Sequence, residues 1–302
     1  MIFCGAIKFK NQAKFHPLKY LVSILNYLEN KNCKLYEDSK VIDVKKNSNS
    51  YNVITEEHII NAKYVVIATH YPIINFPGFH FLKMYQDRSY IIAVETKEKL
   101  FDGMYISNES PEISLRTAKF NNKDILLVAG GDHKTGDKSA NVESAYIDLE
   151  NYIKTIYKDI RVLYKWCTED AITLNKIPYI GEFSKLMPNV FMATGFKKWG
   201  MTTSHISAQI ISDKIQGIPN EYENIFSAKL EPINNKEELG NNLKQTVKSL
   251  ILSRFNVPDE EFEDIENNGG GIVLYKGVKV GVYKSEFGEI FSVKPYCGHL
   301  RV

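Results

Sequence analysis

The chain has 302 residues, of which 44% are hydrophobic and 25% charged, and its formal net charge at pH 7 is +2. That length can bury a sizeable core and fits one large domain or two ordinary ones. The even spread of lysines gives no electrostatic case for nucleic acid, and no run reaches the roughly 18 apolar residues that would span a bilayer. The start, Met1 to Ala6, does not read as a secretory signal. Cys4, Cys33, Cys167 and Cys297 lie far apart with no C-x-x-C pair. Inert thiols, structural at Cys4, Cys33 and Cys167, in a cytoplasmic protein are therefore expected.

His16 to Glu29 carries Leu18, Leu21, Val22, Ile24, Leu25 and Leu28 at helical spacing. Short strands are predicted at Leu35–Glu37 and Val41–Val44, and a hairpin at Tyr51–Thr55 and His58–Ile60. Tyr64 to Thr69 is an unbroken apolar run, as expected of a strand buried on both faces. Antiparallel strands follow at Tyr90–Val94, Gly103–Ser107, Ile113–Thr117 and Ile125–Ala129. Val142 to Tyr157 is an amphipathic helix with Leu149 and Ile153 on its apolar face. Trp166 to Gly181 then leads back toward a second buried strand, Val190–Ala193.

Beyond that strand, Gly195 and Gly200 bracket a tight turn before a helix from Met201 to Ile215. Such a junction offers unpaired N–H groups and the positive end of a helix dipole. An electron-rich ring that becomes anionic on reduction suits that position. Residues 228 to 250 are charged and Asn-rich and read as a linker. Gly269 opens a separate β unit with strands Ile272–Tyr275, Val278–Tyr283 and Glu289–Val293.

In order along the chain, Phe15-His16-Pro17-Leu18, Val66-Ile67-Ala68-Thr69-His70, Gly103-Met104-Tyr105, Gly130-Gly131-Asp132-His133-Lys134, Ile177-Pro178-Tyr179-Ile180-Gly181 and Ala193 to Ser204 resemble the D-amino-acid-oxidase-like FAD-dependent oxidoreductases. Pro295-Tyr296-Cys297-Gly298-His299-Leu300, after a Gly-rich hairpin, resembles the first ligand pair of a Rieske [2Fe-2S] domain, so the likeness is to the branch carrying one. The resemblance implies a mixed α/β fold. A partial FAD-binding Rossmann-like domain would span 1–77 and 166–227, with an antiparallel-sheet substrate domain inserted at 78–165. A linker at 228–252 and the start of a small Rieske-like β domain at 253–302 would complete it.

The G-x-G-x-x-G fingerprint that holds the FAD pyrophosphate is nowhere in the sequence, and neither is a second Rieske Cys/His pair. The chain therefore reads as the middle of a longer protein. On that reading it binds FAD poorly, holds no cluster by itself and is inactive in isolation. It is then either a non-catalytic gene fragment or a subunit whose flavin site is completed by another chain. The resemblance implies a small amine or amino-acid substrate, with electrons relayed from flavin to the Rieske centre.

Several residues are candidates for the site. Gly195 and Gly200 would allow close approach of the flavin ring, with Met201 and the capping or hydrogen-bonding Thr202 and Thr203 at the helix start. Trp199 is an aromatic wall or a packed core residue. Val41 meets adenine through its backbone or is a core valine, and Ala68 and Thr69 end a strand at the pyrophosphate crevice. His70 is an acid/base candidate or a histidine satisfied by a turn. Arg116 would hold a substrate carboxylate, with His133 and Lys134 nearby, or would form a surface ion pair. Cys297 and His299 are the metal-ligand candidates.

Overall fold

The computed structural model describes residues 5–228, apart from 109 and 138, and residues 262–295. Residues 5–228 hold a three-stranded meander and two further sheets, one of them inserted as a long excursion between strands of the other. Strands β1 (Val41–Asn47), β2 (Ser50–Thr55) and β3 (Ile59–Ala62) form an antiparallel meander. Strand β4 (Val65–Ile67) follows and is the last strand before the chain leaves for a second sheet.

That second sheet contains β5 (Met84–Thr96), β6 (Met104–Ile106), β7 (Ser114–Phe120), β8 (Lys123–Lys134) and β9 (Ile160–Thr173), in the order β6-β7-β8-β5-β9. Every neighbouring pair in it is antiparallel. Helix α2 (Val142–Lys154) covers one face. Its Leu149 and Ile153 meet Tyr90, Ile92, Leu126 and Val128, all buried. Asn141 caps α2 by accepting a hydrogen bond from the Ser144 N–H at 3.1 Å. The sheet continues past residue 165, because β9 pairs with β5 as far as Thr173.

The chain then returns through β10 (Tyr179–Glu182) and β11 (Val190–Thr194) to α3 (Gly200–Gln216). Strand β11 lies antiparallel to β10 and parallel to β4, in the order β10-β11-β4. Ile180, Phe191 and Ala193 bury one face against Ile210 and Ile211 of α3. The other face, with Val190, Met192 and Ile67, joins Val44 and Tyr51 of the meander. The Tyr51 hydroxyl donates to the Pro188 carbonyl at 2.8 Å and fastens the two together. Residues 262–295 contain a separate meander of β12 (Gly269–Tyr275), β13 (Val278–Lys284) and β14 (Ile290–Val293) around Ile265, Val273 and Val282.

The fold departs from the sequence-based expectation in three further places. Leu35–Glu37 is not a strand: Leu35 and Tyr36 are exposed, and among the described residues no neighbouring strand supplies a ladder. Strand β4 is shorter than Tyr64–Thr69 and is not buried on both faces, since Val66 is 46% exposed. Among the described residues its only ladder partner is β11. Helix α1 (Pro17–Glu29) forms where expected yet buries none of its residues, and Leu18, Leu21 and Val22 are exposed. A 2.7 Å hydrogen bond between the Tyr20 hydroxyl and His205 Nε2 ties it to α3.

Candidate functional site

Because β4 and β11 are parallel and in register, their carboxyl ends open side by side. Ligands collect at such ends in α/β sheets. Ala68-Thr69-His70 leaves one strand and Gly195 to Gly200 leaves the other. The Thr194 hydroxyl donates to the His70 carbonyl and joins them. His70 is held at φ 64°, a left-handed conformation uncommon for a residue with a Cβ. From the opposite side β9 closes in, with the Lys197 N–H donating to the Ala171 carbonyl at 3.1 Å. Between these walls lies a cavity of about 440 Å³, lined by His70, Asp170, Phe196, Lys198 and Gly200 among others.

The start of α3 faces this cavity without a cap. Its N-cap residue Trp199 makes no side-chain capping bond, and its first turn contains no acidic residue. Thr203 is the first residue of the helix whose N–H is bonded, to the Trp199 carbonyl at 2.9 Å. No described residue accepts from the N–H of Gly200, Met201 or Thr202. A Cβ placed on Gly200 would find only Phe196 within reach, at 4.0 Å. Open space above a glycine at an uncapped helix start fits a flat group carrying negative charge.

Comparison with known proteins gives the family. The family model described as FAD dependent oxidoreductase (DAO) matches residues 2–214. The chain belongs to that family. It is 34% identical over 296 residues to "Putative Rieske 2Fe-2S iron-sulfur protein YhfW" of Bacillus subtilis (strain 168), a match that covers 98% of this chain and 58% of that protein. Among solved structures it is similar to L-proline dehydrogenase from P. horikoshii, with a TM-score of 0.57 and 17% identity over 70% of this chain and 58% of that one. Glycine oxidase from Geobacillus kaustophilus gives a TM-score of 0.55 and 19% identity, over 66% of this chain and 54% of that one. The chain thus spans somewhat more than half the length of the relatives it matches.

Within the FAD-dependent oxidoreductase fold, the sequence-predicted residues fall into three groups. Gly195, Trp199, Gly200, Met201, Thr202 and His70 gather at the junction. Gly195 and Gly200 differ in kind, for Gly195 has φ 74° and is buried, whereas Gly200 is an ordinary helical residue. Trp199 is 66% exposed and so is not a core residue. Ala68 lies in a second, largely apolar groove with Val66, Ala193, Ser207 and Ile211. Thr69 donates to the Tyr71 carbonyl at 2.8 Å.

Val41 and Arg116 are engaged elsewhere. Val41 opens β1 and packs against the meander core. One Arg116 N–H donates to the Phe15 carbonyl at 2.9 Å, tying the segment before α1 to β7. Its Nε is buried with no hydrogen-bond partner. His133 faces the fully buried Tyr90, whose hydroxyl lies 2.8 Å from Nε2. Its Nδ1 sits 3.0 Å from the Lys134 carbonyl, so the proton is on Nδ1 and Nε2 accepts from the phenol. Lys134 lies over the Tyr85 ring. Cys33 and Cys167 are exposed free thiols. The expected ligands Cys297 and His299, the expected linker beyond Ala228, and Cys4 lie outside the described residues.

Three aspartates were not anticipated from the sequence. Asp87 and Asp170 stand directly opposite each other on β5 and β9, and Asp132 of β8 pairs with Lys198. Burial first, then the charge of Asp132, pushes the Asp87 carboxyl above its ordinary range. Burial likewise raises Asp170; Asp132 and Asp87 add to the rise, while Lys198 and His70 oppose it. A signal was present, since aspartate is depleted in strands and these three lie within long ones. Reading 166–181 as a simple return segment concealed Asp170, and strands read as starting at Tyr90 and ending at Ala129 left out Asp87 and Asp132.

Proposed function

We propose that the cavity at the start of α3 is the ring-facing half of an FAD site, in an oxidoreductase acting on a C–H bond beside the nitrogen of an amine or amino acid. The supporting observation is the uncapped, glycine-opened helix N-terminus beside the parallel strand ends. When bound, FAD supplies a two-electron acceptor. Gly200 leaves the ring room, and the N–H groups of Gly200, Met201 and Thr202 favour negative charge on its edge. Trp199 flanks this position and His70 stands across the cavity as an acid/base group. Ala68 and Thr69 would lie toward the pyrophosphate and Val41 toward adenine. The amino-acid substrate class draws on the activities named for the glycine oxidase and L-proline dehydrogenase relatives.

The family branch suggested by the YhfW relative would pass electrons to a [2Fe-2S] centre, with Cys297 and His299 as one ligand pair. In our reading the chain alone binds FAD weakly and is inactive, because its sequence has no G-x-G-x-x-G unit. A subunit arrangement is favoured by one feature, the edge of β4 with no strand beyond it among the described residues.

Flavin retention on purification tests this. The chain by itself is expected to elute colourless, and the chain co-expressed with a family member's G-x-G-x-x-G unit to elute yellow. In that complex Gly200→Leu should weaken FAD binding by about tenfold or more, since a side chain would occupy the ring's space. A yellow chain purified alone would overturn the claim of weak binding. A complex that takes up no flavin would overturn the site.

A further inference from the structure

Three phenylalanines stand together where the chain turns into β5, far from the helix junction in sequence. The rings of Phe76 and Phe79 meet edge to face with centroids 4.9 Å apart, and Phe81 lies 6.2 Å from the first and 6.4 Å from the second. Phe76 is 56% exposed and Phe79 44%. Single apolar side chains on a surface need no explanation, but contiguous aromatic rings mark a face suited to a partner. The backbone beneath them is fixed. His80 is buried against Phe183, and Phe79 is held at φ 52°, a left-handed conformation that disfavours a residue with a Cβ.

The chain leaves this body at the same turn. The Ile180 N–H donates to the Phe226 carbonyl at 2.8 Å, and Ala228 packs against the core that contains Ile74, Met84 and Phe183. Lys83 Nζ donates to the Ala228 carbonyl at 3.3 Å, and the Lys83 N–H donates to the His80 carbonyl at 2.9 Å. The exit is thus bonded to a residue two positions beyond Phe81. Residues 229–261 come next and lie outside the described residues. Their sequence changes character part-way: Leu243, Val247, Leu250 and Ile251 recur at the i, i+4, i+7, i+8 spacing of an amphipathic helix, with Lys244, Gln245, Lys248 and Ser249 between them. The fourteen residues 229–242 can span up to about 50 Å, ample to bring that stripe back over a patch beside their own starting point.

We propose that the apolar stripe within residues 243–255 docks on the Phe76–Phe79–Phe81 patch of its own chain. Each surface alone is apolar and faces water, and a tether that begins beside one of them gives the pair a high effective concentration. The docking confines the β12–β14 unit. Tethered only from Ala228, that unit could range up to about 110 Å on the 33 residues 229–261, whereas from an anchor ending at Phe255 the six residues 256–261 allow about 20 Å. The inference does not rest on the flavin reading.

Photocrosslinking in the purified full chain tests it, with p-benzoylphenylalanine in place of Phe79 and the products mapped by mass spectrometry. The main crosslink is expected within residues 243–255 of the same chain, with a yield unchanged by about hundredfold dilution. The double variant Leu243→Asp/Leu250→Asp should lower that yield at least about tenfold, because it places charge against the aromatic rings. Lys248→Asp, off the stripe, should leave it as it was, and thermal melts establish that each variant is folded. No crosslink to residues 243–255, a crosslink to a second copy that fades on dilution, or a yield indifferent to Leu243→Asp/Leu250→Asp in the folded chain would overturn the proposal.

Discussion

Replacing Gly195 by valine is expected to destabilise the fold by about 3 kcal/mol, while Gly200→Ala should change stability by less than about 0.5 kcal/mol. The two glycines sit five residues apart in one turn, yet different constraints act on them. Gly195 has φ 74°, and a Cβ there would lie 2.4 Å from the Thr173 methyl carbon. A side chain therefore meets both left-handed backbone strain and a collision with a fully buried strand residue. Thr173 cannot turn away readily, because its hydroxyl donates to the Ile177 carbonyl at 2.8 Å. Gly200 has an ordinary helical backbone and open space above it, and alanine is the better helix former. Chemical denaturation of both variants decides the matter. Equal losses at the two positions would mean that Gly200 too is held by the chain's own packing, and its role in leaving room for a ligand would fall.

Acidification from pH 6.5 to pH 4 is expected to remove about 3 kcal/mol of stability through His80 alone. This ring is 1% exposed, in a single 3-10 turn at His80–Leu82, packed against Phe183 and near Tyr179. Its Nε2 lies 3.0 Å from the Phe183 carbonyl, so that nitrogen carries the proton. Nδ1 is buried and has no hydrogen-bond partner. Burial pushes the folded-state pKa from 6.5 down to about 4; the Phe183 bond opposes the fall and the Lys83 charge assists it. The unfolded chain thus binds a proton near pH 6.5 that the folded chain refuses until about pH 4. The neutral ring's contribution is complete above pH 6.5 and is lost as the pH falls toward 4. Comparing denaturation of the wild type and His80→Gln across this range isolates the effect, because glutamine can still donate to the Phe183 carbonyl. An identical acid slope in the two proteins would show that His80 is not its source.

The elements were legible wherever local periodicity and burial agreed. Val190–Ala193 reads as a buried strand and is one, because its neighbours on both faces come from this chain. Helix α2 carries its core contacts at the expected spacing and α3 begins within a residue of the predicted start. Tyr64–Thr69 and the apolar side of α1 have equally strong patterns, yet Val66, Leu18 and Val22 are exposed. Apolar spacing records what a segment is suited to meet, and the described residues do not supply that partner.

The residue types of the junction, with glycines between a buried strand and a helix, together with the order of the motifs around it, were enough to point to a flavin-dependent family. Tertiary structure decided how those residues are used. The parallel register of β4 and β11 sets His70 beside Gly195, and β9, distant in sequence, brings Asp170 across from Lys198. Arg116 spends one of its donors on the Phe15 carbonyl, a contact that no local pattern encodes. Charge complementarity across a cavity depends on which strands lie opposite one another. That is fixed by long-range pairing, whereas helix and strand preferences are written locally in the chain.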